Sequence, residues 1–257
     1  MKEPRLEVCA GSIGSVKAAA KGGAFRVELC SALSEGGITP SIGFVHEAVK
    51  AGGVKVNVLI RPRGGDFIYT PEEVDCMCHD IRAIRNEGAD GVVIGALLPD
   101  GDIDAEACRR MISEAEGMSV TFHRAFDLCR DMDTAMQQII ALGCDTLLTS
   151  GQHPSALEGC DSLRYLNEKY GDKITIMAGS GVASGNAADI VARTGCTTLH
   201  ASARKSIPSA MQFRHPSVKM GSPDSDEYSR LETSAEEVAA IIAAIRRSAS
   251  NLITPES

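Results

Sequence analysis

Eight short apolar runs, each followed by a longer stretch with helical spacing, constrain this chain more than any other feature. The runs fall at residues 6–9, 25–30, 54–60, 91–94, 120–123, 146–149, 174–178 and 198–200. The stretches between them open on capping residues. Thr39-Pro40 and Thr70-Pro71 each predict an N-cap followed by a proline at the first helical position, and Glu73 completes a capping box on Thr70. Asp104, Asp131, Ser155 and Ser184 are further N-cap candidates. Gly52-Gly53, Gly88, Gly143 and Gly195 stand where helices give way to strands. Gly23-Ala24, Gly88-Ala89, Gly143-Cys144 and Gly195-Cys196 repeat one device: a glycine cap, a small residue, a polar step, then an apolar run. Alternating strands and helices predict a parallel sheet. Eight such units predict an α/β chain folded as a single (β/α)8 TIM barrel, one domain over residues 1–257. An open doubly wound sheet is the alternative.

The segment 205–232 breaks the rhythm. It is polar, rich in Ser, Pro and Met, and without period. It follows the eighth strand, so it leaves from the C-terminal face of the barrel as a lid, a subunit contact or a plain excursion.

Composition narrows the partners. With 44% hydrophobic residues, no Trp and only 4% aromatics, the core is aliphatic. A net charge of −8 argues against nucleic acid or an acidic membrane surface as the main partner. No stretch of about 18 apolar residues can form a membrane span. The opening Met1-Lys2-Glu3-Pro4-Arg5-Leu6 lacks the apolar run of a signal peptide. Nine cysteines, an odd number set inside periodic segments, fit reduced thiols in the cytoplasm.

In such barrels the active site forms at the C-terminal strand ends. Strand one carries Leu6-Glu7-Val8-Cys9 and strand two Arg26-Val27-Glu28-Leu29-Cys30. Side chains alternate along a strand, so Glu7 shares a face with Cys9, and Glu28 with Cys30. Strand three runs into Arg61-Pro62-Arg63-Gly64-Gly65-Asp66-Phe67 and strand five into His123-Arg124-Ala125-Phe126-Asp127. Strands six to eight end on Ser150, on Gly179-Ser180-Gly181 and on His200-Ala201-Ser202.

Two chemistries use this set. The thiols of Cys9 and Cys30, on neighbouring strands, could flank Cu(I), a soft ion that favours thiolates. Alternatively, the mouth is an enzyme site of unnamed reaction for a small anionic, sugar- or phosphate-like substrate. Glu7 and Glu28 would then do acid–base work. Arg61 and Arg124 would neutralise them or hold the anion, and His123 and His200 would carry protons. Ser150, Gly179, Gly181, His200 and Ser202 would line the anion site. An internal salt-bridge network closing the barrel top is the competing account. Cys76-Met77-Cys78-His79 looks like a metal motif, but on a helix residues two apart diverge. Cys78 instead joins an apolar stripe with Val74, Met77, Ile81 and Ile84, which places it in the core.

Several blocks carry a family resemblance. Leu6-Glu7-Val8-Cys9, Val27-Glu28-Leu29-Cys30, Ser34-Glu35-Gly36-Gly37 and the segments 60–67, 121–127 and 148–151 resemble the CutC family, often called copper homeostasis proteins. The resemblance extends to Asp226-Glu227-Tyr228-Ser229. It implies a (β/α)8 barrel, a cytoplasmic location, a homo-oligomer (dimer or tetramer) and copper binding by Cys9 and Cys30. One departure is visible: Phe25 stands where the family usually has an acidic residue.

Overall fold

The computed structural model describes residues 4–218, 220 and 226–251; the expectations for residues 1–3, and for Lys219 and residues 221–225 of the long segment, fall outside the described residues. Eight parallel strands close into a barrel: β1 (Arg5–Ala10), β2 (Arg26–Leu29), β3 (Lys55–Leu59), β4 (Gly91–Ile94), β5 (Ser119–Phe122), β6 (Thr146–Thr149), β7 (Thr175–Ala178) and β8 (Thr198–Ala201). Closure is direct, because β8 pairs with β1 and sets His200 opposite Glu7. That pairing rules out the open sheet. The helices are α1 (Ile13–Gly22), α2 (Ile42–Ala51), α3 (Pro71–Asn86), α4 (Ala105–Glu114), α5 (Met132–Ala141), α6 (Cys160–Tyr170), α7 (Ala187–Thr194) and α8 (Ala235–Asn251).

The main core lies between sheet and helices. Val8, Val27, Val58, Val92, Leu147 and Leu199 take the outward phase of their strands and are fully buried under the helical ring. These aliphatic positions supply the dominant stabilising term. Among the described residues no helix is long and apolar enough to cross a membrane.

Thr70 caps α3 with both halves of its capping box formed, and Asp104 and Asp131 cap α4 and α5. Three other cap expectations are corrected. Ser41 caps α2, because the Thr39 hydroxyl already accepts the Arg61 N–H at 2.8 Å. Ser155 closes only a turn by accepting the Glu158 N–H, and α6 starts later, after Gly159. Ser184 bonds Glu237, and α7 starts after Asn186. The long segment also differs from expectation. It holds an antiparallel ribbon of β9 (Arg204–Pro208) and β10 (Ser229–Thr233). β9 is mostly exposed and β10 only partly buried, so neither carries an apolar alternation that sequence could reveal.

The inward face positions the site. Glu7 on β1 is in register with Arg26 on β2 and with His200 on β8. Parallel partners point the same way, so these three form one layer. Cys9 lies beside Glu28, and Glu28 beside Asn57. Gly91 separates Asn57 from Ser119 in the ladder. A side chain there would overlap both, and its absence lets the Ser119 hydroxyl donate to Asn57 Oδ1 at 3.3 Å. Together with Cys9, the residues Cys30, Leu59 and Val93 form a small apolar cluster of their own.

Candidate functional site

A cavity of about 290 Å³ opens at the C-terminal end of the barrel. One wall carries Cys9, Glu28, Cys30 and His200; the opposite wall carries Phe67, His123 and Arg124; Ser180, Gly181, Ser202 and Arg204 lie along the rim. The predicted residues Cys9, Glu28, Cys30, Arg61, His123, Arg124, Gly181, His200 and Ser202 are thus brought together around one space.

The charged wall is a connected network. Arg26 Nε donates to Glu7 Oε2. The Glu7 Oε1–His200 Nδ1 distance is 2.8 Å. His200 Nε2 lies 3.8 Å from Glu28 Oε2. The Cys9 and Cys30 sulfurs are 4.0 Å apart, and Cys30 Sγ lies 3.4 Å from Glu28 Oε2. The ligand atoms of Cys9, Glu28 and Cys30 all fall within 4.8 Å of one another, and all three residues are buried.

Protonation follows from these contacts. Burial pushes the Glu7 carboxyl up, but Arg26 and His200 outweigh it and hold it at about 2. Burial carries Glu28 up to about 7, with Glu7 and Cys9 adding to the rise against His200. The hydrogen bond from Cys30 holds the Cys9 thiol at about 5 despite burial, helped by His200 and Arg204. The same bond, with burial, pushes Cys30 well above its ordinary value. His200 is pulled down by burial, yet its bonds to Cys9 and Glu7 raise it well above the usual histidine range. These directions favour a Cys9 thiolate beside a protonated Cys30, next to an imidazolium held by Glu7.

Several expected roles change. Arg61 neutralises neither acid. Its guanidinium donates to the carbonyls of Glu35, Gly37 and Gly65 at 2.7–3.0 Å, and it lies 4.8 Å above the Phe67 ring. It thereby ties the loops after β2 and β3 together. Arg26 takes the acid-pairing role instead. Glu7 itself is 1% exposed and supports the wall from behind. Arg124 bonds Asp127 and Ser150. Ser150 is fully buried, with its hydroxyl on Asp127 and on the His153 carbonyl, so it does not face the cavity. Gly179 donates its N–H to Thr149, and a side chain there would meet Leu148 and His200; its role is close packing. Burial and Arg61 hold the His123 ring down at about 3, which favours its neutral form near neutral pH.

Sequence reasoning placed Ser180 at the barrel mouth but assigned no role of its own to that residue, nor to Arg26 or Arg204. Arg26 shares the period-two phase of Glu28 and Cys30, which was a usable signal. Ser180 adopts φ of 80°, and Arg204 belongs to the ribbon; neither property is written in local composition.

A CutC family profile matches residues 4–205. A CutC family protein of Chromobacterium violaceum is 49% identical over 236 residues, spanning 92% of this chain and 96% of the relative. A second, from Porphyromonas gingivalis, is 48% identical over 235 residues, spanning 91% and 95%. The crystal structure of a Streptococcus agalactiae protein described as a copper homeostasis protein CutC superposes with a TM-score of 0.75 at 33% identity, covering 78% of this chain and 99% of that one. The thiamine phosphate pyrophosphorylase of Pyrococcus furiosus, 17% identical with a TM-score of 0.57 over 95% of this chain and 96% of its own, shares the fold alone.

Proposed function

Since the chain belongs to the CutC family, we propose that it serves copper homeostasis by binding Cu(I) between the Cys9 and Cys30 thiols at the barrel mouth. The 4.0 Å between the two sulfurs carries this reading. Taking the Zn–S bond of about 2.3 Å as the scale of a metal–thiolate bond, one ion reaches two sulfurs up to about 4.6 Å apart. The observed spacing lies inside that reach and suits a bent bridge. Cys9 offers a thiolate directly, and Cys30 surrenders its proton when the ion arrives. Leu33, Leu59 and Val93 shield the pair from water, which favours the soft, lower oxidation state. The Glu28 oxygen is a neighbouring third donor, though a poorer partner for a soft ion. All described cysteines are free thiols, which supports a reducing cytoplasmic setting. Apolar side chains on the long segment support self-association.

Replacing both thiols, Cys9→Ser with Cys30→Ser, should weaken Cu(I) binding by more than about 100-fold, beyond what outer-shell partners contribute. Competition against a colorimetric Cu(I) chelator under reducing conditions measures it. Unchanged affinity would sink the thiol site.

A further inference from the structure

We propose that the cavity is a receptor for a small anionic hydroxy-carbonyl compound, with His123 Nε2–H polarising the carbonyl oxygen and Arg204 plus the Ser180 and Gly181 amides holding the anionic group. The claim does not rest on copper, because none of these groups is a thiol.

The carbonyl end begins with His123. It is 5% exposed, and its Nδ1 accepts the Ala125 N–H at 3.1 Å. A ring nitrogen that accepts carries no hydrogen, so the neutral ring bears its hydrogen on Nε2. Burial and Arg61 keep the ring neutral. Nε2 nevertheless has no partner among the described residues. A buried donor without an acceptor bears its full desolvation penalty, and here it belongs to a ring on the cavity wall. The ring is also fixed in place. Phe67 packs against it with centroids 4.9 Å apart, and a side chain at Gly95 would overlap it. A rigid, uncharged donor suits an oxygen on which charge develops.

The anionic end lies on the rim. Arg204 has no acidic partner among the described residues, and its charge already acts on Cys9. The Ser180 and Gly181 amides donate to no protein acceptor among the described residues. Ser180 is held in the left-handed region at φ 80°, which non-glycine residues rarely adopt. Its hydroxyl on the Pro154 carbonyl at 2.8 Å, and its own carbonyl on Ala156 N–H at 3.0 Å, hold it there. Strain of this kind concentrates at ligand sites. Free amides beside an arginine recognise carboxylate or phosphate. At about 290 Å³ the cavity falls just below the usual range for ligand pockets, roughly 300–1,000 Å³, so the ligand has only a few carbons. The Glu28 carboxyl group then meets its hydroxyl.

The test uses copper-free protein with a chelator present and two probes labelled with carbon-13 at the carbonyl: dihydroxyacetone phosphate and hydroxypyruvate. Calorimetry gives affinity, and infrared difference spectra give the position of the C=O band. At least one probe should bind, with its band moved to lower frequency; which one binds assigns phosphate or carboxylate. His123→Phe should return the band to its free position. Arg204→Ala, at an exposed site, should weaken binding by at least about tenfold while leaving the band shifted. The proposal is overturned if neither probe binds, if the band is unshifted or keeps its shift in His123→Phe, or if Arg204→Ala binds as tightly as the unaltered protein. The chelator titration of the thiols is separate, so either reading can fail alone.

Discussion

His123 shows how a single side chain reports its surroundings. Its ordinary value near 6.5 is depressed to about 3 by burial and by Arg61. The unfolded chain therefore takes up this proton before the folded one as pH falls, and the stability tied to a neutral ring is complete above pH 6.5 and lost below it. Glu7, Glu28, Cys9 and His200 titrate too, so the clean measure is a difference between two proteins. In His123→Asn the amide oxygen can still accept the Ala125 N–H, but nothing titrates. Relative to that variant, the unaltered protein should lose about 1.4 kcal/mol of stability per pH unit between pH 6.5 and 4.5, read from urea midpoints. Parallel curves would show the ring to be protonated in the folded state. The same scale exposes the reach of sequence reading. Period two placed Glu7, Cys9, Glu28 and Cys30 on the inner face, and Arg26 sits in the same phase. Arg61 escaped because its direction depends on the carbonyls of Glu35, Gly37 and Gly65, which become its partners only once two loops have folded.

At the level of elements, helix starts divide into those decided locally and those decided by neighbours. Thr70 and Glu73 satisfy each other's backbone donors within one turn, so the sequence pattern and the structure coincide. Arg63 also holds Glu73 by its Nε at 2.6 Å, which fastens the start of α3 to the loop after β3. Thr70→Ala should lower stability by about 1 kcal/mol, with the barrel retained, in a urea titration. A loss below about 0.3 kcal/mol would mean that water replaces the hydroxyl without penalty. Thr39 fails as a cap for the complementary reason: its hydroxyl serves a partner 22 residues away. The barrel strands were legible because their outward residues must be apolar to meet helices. The ribbon of β9 and β10 was not, because exposed strands need no such pattern and their pairing joins residues more than 20 positions apart.

At the scale of the whole molecule, the ribbon links the cavity to the outer surface. β9 begins at Arg204 on the cavity rim, and β10 ends at Thr233, whose N–H donates to Ser15 on α1 at 3.1 Å. Between the two strands and on β10, Met211, Phe213, Val218, Met220 and Leu231 are each more than half exposed. Exposed apolar side chains set along this one arm of the chain are the kind that meet a partner. A second copy is the occupant that the self-association reading requires, and a two-fold arrangement would bring arm to arm. Light scattering should then report a multiple of the single-chain mass, and Phe213→Ser with Leu231→Ser should return it to one chain. Because Arg204 stands at the base of the arm, the loss of partner contacts should also weaken anion binding at the rim, though less than Arg204→Ala does. A single-chain mass for the unaltered protein would remove the oligomer from the account and leave the rim to be shaped by the barrel alone.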